Sequence, residues 1–75
     1  NISHIDIGKN CCISQGVYLC TGNHDFNKET FDLISEKIII QDSVWVGAKS
    51  IIGPGSNIAS GKFVKLGSIH SKKDN

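Results

Sequence analysis

Every sixth residue is aliphatic along two stretches of this chain: Ile7, Ile13 and Leu19, then, after one break, Ile40, Val46, Ile52, Ile58 and Val64. That spacing fits neither the 3.6-residue period of an amphipathic helix nor the strict alternation of a half-exposed strand. The residue four places after each aliphatic is Cys11, Val17, Asn23, Val44, Ser50, Ser56, Lys62 and Ser68, mostly small. Glycine follows the aliphatic directly at Gly8, Gly47 and Gly53, and recurs three places after it at Gly16, Gly22, Gly55, Gly61 and Gly67. A chain that bends after every six residues needs torsions that cost little only for Gly, Asn or Asp, and Asn10 and Asn57 fit the same need. The repeat predicts one short strand and one bend per hexapeptide.

Three hexapeptides close a triangular coil of 18 residues, with the large aliphatics pointing inward and the small residues beside them. Ile40 to Ile58 is one coil in register, whereas Ile7 to Ile40 is one coil plus an excursion of 15 residues, placed at 25–39. The predicted ladders are Ile7 over Ile40 over Ile58, Ile13 over Val46 over Val64, and Leu19 over Ile52, the last continuing at His70, which breaks the aliphatic pattern. The fold class is therefore an all-β parallel β-helix with one protruding loop, forming a single domain over 1–75. The chain starts on Asn1 inside the periodic pattern and neither end reads as a cap, so it is read as a piece of a longer protein. Three aliphatics per coil, worth roughly 1.5–3 kcal/mol each, do not match the ordering of 18 residues at about 1–2 kcal/mol each. Ladder hydrogen bonds and neighbouring subunits must make up the difference.

Eight Lys or Arg against seven Asp or Glu give a net charge of +1, without the basic surplus of a nucleic-acid or membrane-surface binder. No signal peptide or membrane span is visible, and the expected location is cytoplasmic. Cys11 takes an inward position while Cys12 and Cys20 fall outside it, and three cysteines without a C-x-x-C spacing suit reduced thiols rather than a disulfide framework or zinc site.

The break in the repeat is where chemistry is expected. A long excursion from a rigid scaffold is commonly functional, and Phe26, Phe31 and Leu33 give this one apolar contacts to make. Just before it stands Thr21-Gly22-Asn23-His24-Asp25. His24 sits at the last rigid corner and carries an imidazole that takes a proton near neutral pH, so position alone allows either a general base or a surface turn histidine.

The run from Ile7-Gly8-Lys9-Asn10 through Thr21-Gly22-Asn23-His24-Asp25, followed by Val44-Trp45-Val46-Gly47-Ala48 and Gly53-Pro54-Gly55, resembles the left-handed β-helix O-acetyltransferases, and most of all those of colanic acid biosynthesis. Galactoside, maltose and nodulation-factor acetyltransferases are wider kin. The left-handed coil is taken from this resemblance, because crossover connections are otherwise right-handed. What the resemblance implies is acetyl transfer from acetyl-CoA to a sugar hydroxyl, without a metal, at sites between the subunits of a homotrimer. His24 matches the family's catalytic histidine and would act as general base, with Asn23 and Asp25 beside it on the acceptor. Trp45 matches a tryptophan lining the acyl site, and the backbone N–H of Ala48 the oxyanion donor. CoA would run along the coils toward Leu66, Ser71 and Lys72, with Lys73 a second cation near its phosphates.

The chain departs from the family where relatives read small residues such as Ala-Ala-Gly-Ser and it reads Lys65-Leu66-Gly67-Ser68, and where Lys62 takes an inward slot. The added bulk, together with the absence of the C-terminal segment that relatives carry, predicts weak or no CoA binding, with Lys65→Ala and Leu66→Ala tightening it in a chain that carries that segment. A structural or binding β-helix is the main alternative. A γ-type zinc carbonic anhydrase is a lesser one, because His4, His24 and His70 lack a close histidine pair.

Overall fold

The computed structural model describes residues 4–24 and 33–75, and the side chains of all of these but 23, 24 and 33–35. Short strands stack into three parallel sheets. Sheet A holds β1 (Ile5–Ile7), β6 (Ile38–Ile40) and β9 (Asn57–Ile58). Sheet B holds β2 (Cys12–Ile13), β7 (Trp45–Val46) and β10 (Phe63–Val64), and sheet C holds β3 (Tyr18–Leu19), β8 (Ile51–Ile52) and β11 (Ile69–His70). Because each coil visits A, B and C in turn, the sheets form the faces of a triangular prism. Ile7 pairs with Ile40 and Ile40 with Ile58, Ile13 with Val46 and Val46 with Val64, and Leu19 with Ile52 and Ile52 with His70. These are the ladders that the spacing predicts, and the parallel β-helix is observed.

The interior is made by Ile38, Ile40, Val44, Val46, Ile52, Ile58 and Val64, all buried, with Cys11, Ile13, Val17 and Leu19 packed partly against them. Ile7, expected inside, is 47% exposed in β1, an edge strand of its sheet with no described coil beyond it, whereas Ile58 in the opposite edge strand, beside which Asn75 folds back, is 2% exposed. Lys62, expected in an inward slot, is exposed for the matching reason: its coil is the last in the stack. Ile38 fills a column held by a serine one coil later, Ser56. Ser50 and Ser56 are buried, and each hydroxyl donates to a backbone carbonyl, Ser50 to Lys65 at 3.1 Å and Ser56 to Gly53 at 2.8 Å. These bonds offset the cost of burying a hydroxyl.

Two corners repeat in all three coils. Asn10, Ser43 and Gly61 occupy the A–B corner with φ of 57°, 58° and 77°, and Gly16, Lys49 and Gly67 the B–C corner with φ of 72°, 61° and 70°. Asn57, expected at a bend, instead lies in β9, and Gly22 lies in a strand. Gly47 is not left-handed at all. A β-carbon there would fall 2.6 Å from the Leu66 nitrogen, so its glycine is required by the close approach of the next coil.

At the C–A corner the chain leaves the first coil as β4 (Gly22–His24), which pairs antiparallel with β5 (Leu33–Ser35). The Glu36 N–H donates to the Thr21 carbonyl at 2.9 Å and closes the base of this pair. The coil has resumed by Ile38 in β6, inside the span of 25–39 expected for the excursion, and 25–32 lie outside the described residues. After β11 a 3-10 turn, Lys72–Asp74, follows Ser71. Asn75 then accepts the Asn57 N–H through its side-chain oxygen at 2.6 Å and donates to the Gly55 carbonyl at 3.0 Å, so its amide serves the edge of sheet A. Among the described residues no helix is long and apolar enough to cross a membrane.

Candidate functional site

The backbone of His24 ends β4 in register with Leu33, and Asn23 pairs with Ile34. The side chains of Asn23 and His24, and all of Asp25, lie outside what is described. Their strand leaves the prism at the C–A edge, held there by the Thr21–Glu36 bond. Ser71 and Lys72 lie on this same edge in the last coil. Lys72 donates to Glu36 Oε1 at 2.9 Å, above Gly55, where a β-carbon would come within 2.8 Å of that oxygen. The ammonium expected beside a phosphate is thus engaged with a carboxylate.

Trp45 stands on the outer face of sheet B, between Cys12 and Phe63 in the ladder, and is 54% exposed. Its indole N–H donates to Ser14 Oγ at 3.3 Å, and its ring meets Phe63 edge-on at 5.7 Å and 84°. The two contacts fix the ring while leaving surface open. Ala48 lies on the B–C corner. Its carbonyl accepts from the Gly67 N–H at 2.9 Å, and its own N–H has no backbone acceptor among the described residues, as an oxyanion donor requires. Leu66 takes the same corner one coil later and is 69% exposed.

The expected site residues therefore divide within one chain. Asn23, His24, Ser71 and Lys72 belong to the C–A edge, Ala48 and Leu66 to the B–C edge, and the whole width of sheet C separates the two. Sequence reasoning missed Ser14 and Phe63 as the partners of Trp45, although Phe63 stands one coil after Trp45 in the 18-residue register. A depression of about 480 Å³ opens at the end of the stack, lined by Ile58, Val64, His70, Asp74 and Asn75 among others. It contains none of the expected site residues, being the underside of the last coil.

His70 is half-buried below Ile52, with a buried Nδ1 that has no partner among the described residues, while His4 is exposed ahead of β1. Among the described residues no three His, Cys, Asp or Glu side chains gather as a metal site would need. Asp74 accepts the Ser71 N–H at 2.9 Å, and this bond to backbone is the main cause that holds its carboxyl below the usual range. Cys11, Cys12 and Cys20 are free thiols, with Cys11 donating to the Gln41 carbonyl at 3.0 Å.

Fold, corners and ladders define a β-helix of hexapeptide repeats. Comparison with known proteins goes further: the chain is 35% identical over 63 residues to the "Putative colanic acid biosynthesis acetyltransferase WcaF" of Escherichia coli, and equally to that of Shigella flexneri. That match covers 84% of this chain and 35% of the relative. A "Putative acetyltransferase C18B11.09c" of Schizosaccharomyces pombe is 33% identical over 75 residues, 96% of this chain and 36% of that one. The chain is a homologue of proteins named acetyltransferases, as the resemblance in its sequence implies, and it spans about a third of the length of these curated relatives. No family model matches the chain, and no solved structure matches it.

Proposed function

We propose that the protein is part of an acetyltransferase that moves an acetyl group from acetyl-CoA to a sugar hydroxyl. The observation that carries this reading is the kinship, over most of the chain, with proteins named acetyltransferases, two of them assigned by name to colanic acid biosynthesis. In this reading His24 takes the proton of the acceptor hydroxyl as the oxygen attacks the thioester carbonyl. The Ala48 N–H receives the oxyanion that forms, in water-poor surroundings where such a bond is strong. When the carbon–sulfur bond breaks, the protonated imidazole returns its proton to the leaving sulfur. Trp45, fixed by Ser14 and Phe63, walls the acyl end, and Asn23 and Asp25 contact the acceptor.

The division of these residues between two edges supports a site completed by a second copy. A closed threefold ring sets one surface of each protomer against a different surface of the next. Such a ring can bring the C–A edge of one chain to the B–C edge of its neighbour. The reaction is expected in the cytoplasm. The test is thiol release from acetyl-CoA with a panel of mono- and oligosaccharides. Acceptor-dependent release that His24→Ala lowers by about 10² to 10⁴ supports the reading, release without acceptor dependence is thioester hydrolysis and overturns the sugar acceptor, and no release returns the chain to a structural β-helix.

A further inference from the structure

The last coil leaves part of its hydrogen-bonding backbone unused. In the second coil the N–H groups of Trp45, Gly47 and Ile51 donate downward to the Lys62, Val64 and Ser68 carbonyls. One coil later the same positions are Phe63, Lys65 and Ile69, and their N–H groups have no acceptor among the described residues. The first coil offers the complement. Its Cys11, Ile13 and Val17 carbonyls, in the columns of Lys62, Val64 and Ser68, accept no bond among the described residues. One end of the prism thus presents donors in the pattern in which the other presents acceptors. The seam that would join them is already built twice within the chain, and a second copy set head to tail would continue it in register.

Residues that line the depression stand in the way of that join. Lys62 takes the column of Val44, which is buried, so a further coil would have to cover its charged stem. Lys65 takes the column of Gly47, where a β-carbon would lie 2.6 Å from the backbone of the coil beneath, and it too faces the depression. His70 takes the column of Ile52, and a covering coil would bury the rest of a ring whose Nδ1 already has no described partner. Asn75 closes the remaining side. It lies 18 residues after Asn57, where a next strand of sheet A would run, and its amide holds the Asn57 N–H and the Gly55 carbonyl instead. Inward-pointing charge and a covered edge are means by which exposed strands avoid pairing with another chain.

We propose that the end of the stack below the third coil is a docking surface for the first coil of a second copy, held shut by Lys62, Lys65, His70 and Asn75. The first three are positions at which the last coil departs from the columns above it, and their common effect is to refuse a further coil. The guard is independent of acetyl transfer.

The experiment is light scattering with sedimentation velocity on the protein as purified, over a concentration series. Wild type is compared with a variant whose columns are restored by Lys62→Val, Lys65→Gly, His70→Ile and Asn75→Ala together. Wild type should settle at one mass as concentration rises. The restored variant should keep lengthening, its weight-average mass rising by about twofold or more, as an open head-to-tail contact gives. Ile7→Lys added to it sets an ammonium in the opposing column of the first coil and should return the mass to that of wild type. Lys62, Lys65 and Asn75 are exposed, so their three changes without His70→Ile spare the core and should already produce lengthening, with circular dichroism checking the fold. If the fourfold variant unfolds, the threefold one decides. A folded variant that keeps the wild-type mass, growth that survives Ile7→Lys, or a wild type that itself lengthens without limit each overturns the proposal.

Discussion

A β-carbon on Gly47 would lie 2.6 Å from the backbone nitrogen of Leu66 and 2.8 Å from its Cα. Both are backbone atoms, which no rotamer change can move aside. Gly47→Ala must part the second and third coils at the B–C corner, and overpacking of this kind costs about 1–3 kcal/mol. Gly53 has the same place in its hexapeptide, but there the nearest atom to a β-carbon is the His70 carbonyl oxygen at 3.5 Å, an ordinary contact. Urea unfolding should rank Gly47→Ala well below Gly53→Ala, and equal midpoints would show that the coils part freely.

Ser43 adopts φ of 58° in the column that holds Asn10 and Gly61. A β-carbon in this region costs about 1–2 kcal/mol, and asparagine tolerates it better than serine. Ser43→Asn should raise the thermal midpoint by a few degrees, matching a gain of about 0.5 kcal/mol in a small domain. A lower midpoint would mean that the serine has a packing role the torsion does not reveal.

The lowered pKa of Asp74 ties the last turn to pH. Its ionised carboxylate accepts the Ser71 N–H, so the contribution is present above the unfolded pKa, near pH 4, and is lost as pH falls through the lower folded value. The Ser71 amide should lose exchange protection on acidification through that window, and Asp74→Asn should make its protection independent of pH there. A Ser71 amide that titrates equally in both proteins assigns the effect elsewhere.

His24→Ala should lower acetyl transfer by about 10² to 10⁴, the usual contribution of a general base, and leave the circular dichroism and melting of the stack unaltered. The β4–β5 pair stands apart from the three ladders that hold the core, so loss of one of its side chains does not reach them. A protein that keeps its rate without His24 uses another base.

The ladders were legible because six-residue spacing leaves little freedom: once Ile40 and Ile58 are one coil apart, every other column follows, down to His70 under Ile52. Exposure was not, since a repeat specifies which way a side chain points but not whether another coil covers it, as Ile7 and Lys62 show. Corner chemistry was read in part. Glycine and Asn10 announced their torsions, whereas Ser43 and Lys49 adopt the same torsions because the coils above and below impose them. The engagement of Lys72 by Glu36 was hidden for a different reason: Glu36 was read as part of the excursion at 25–39, although the two residues lie 36 positions, two coils of 18, apart and so share a column.

The three coils of this prism are joined at two intervals of different length, 33 residues from Ile7 to Ile40 and 18 from Ile40 to Ile58, yet both joins give the same pairing. The stack thus treats the two joins differently as places for insertion and deletion. Loss of one residue between Ile40 and Ile58 would rotate the whole following column out of the interior. The Thr21–Glu36 bond and the Ile7–Ile40 pair bracket the longer join from both sides, so its length can drift without any column losing count. New binding specificity can be grafted at that corner while the arithmetic of the coils stays untouched.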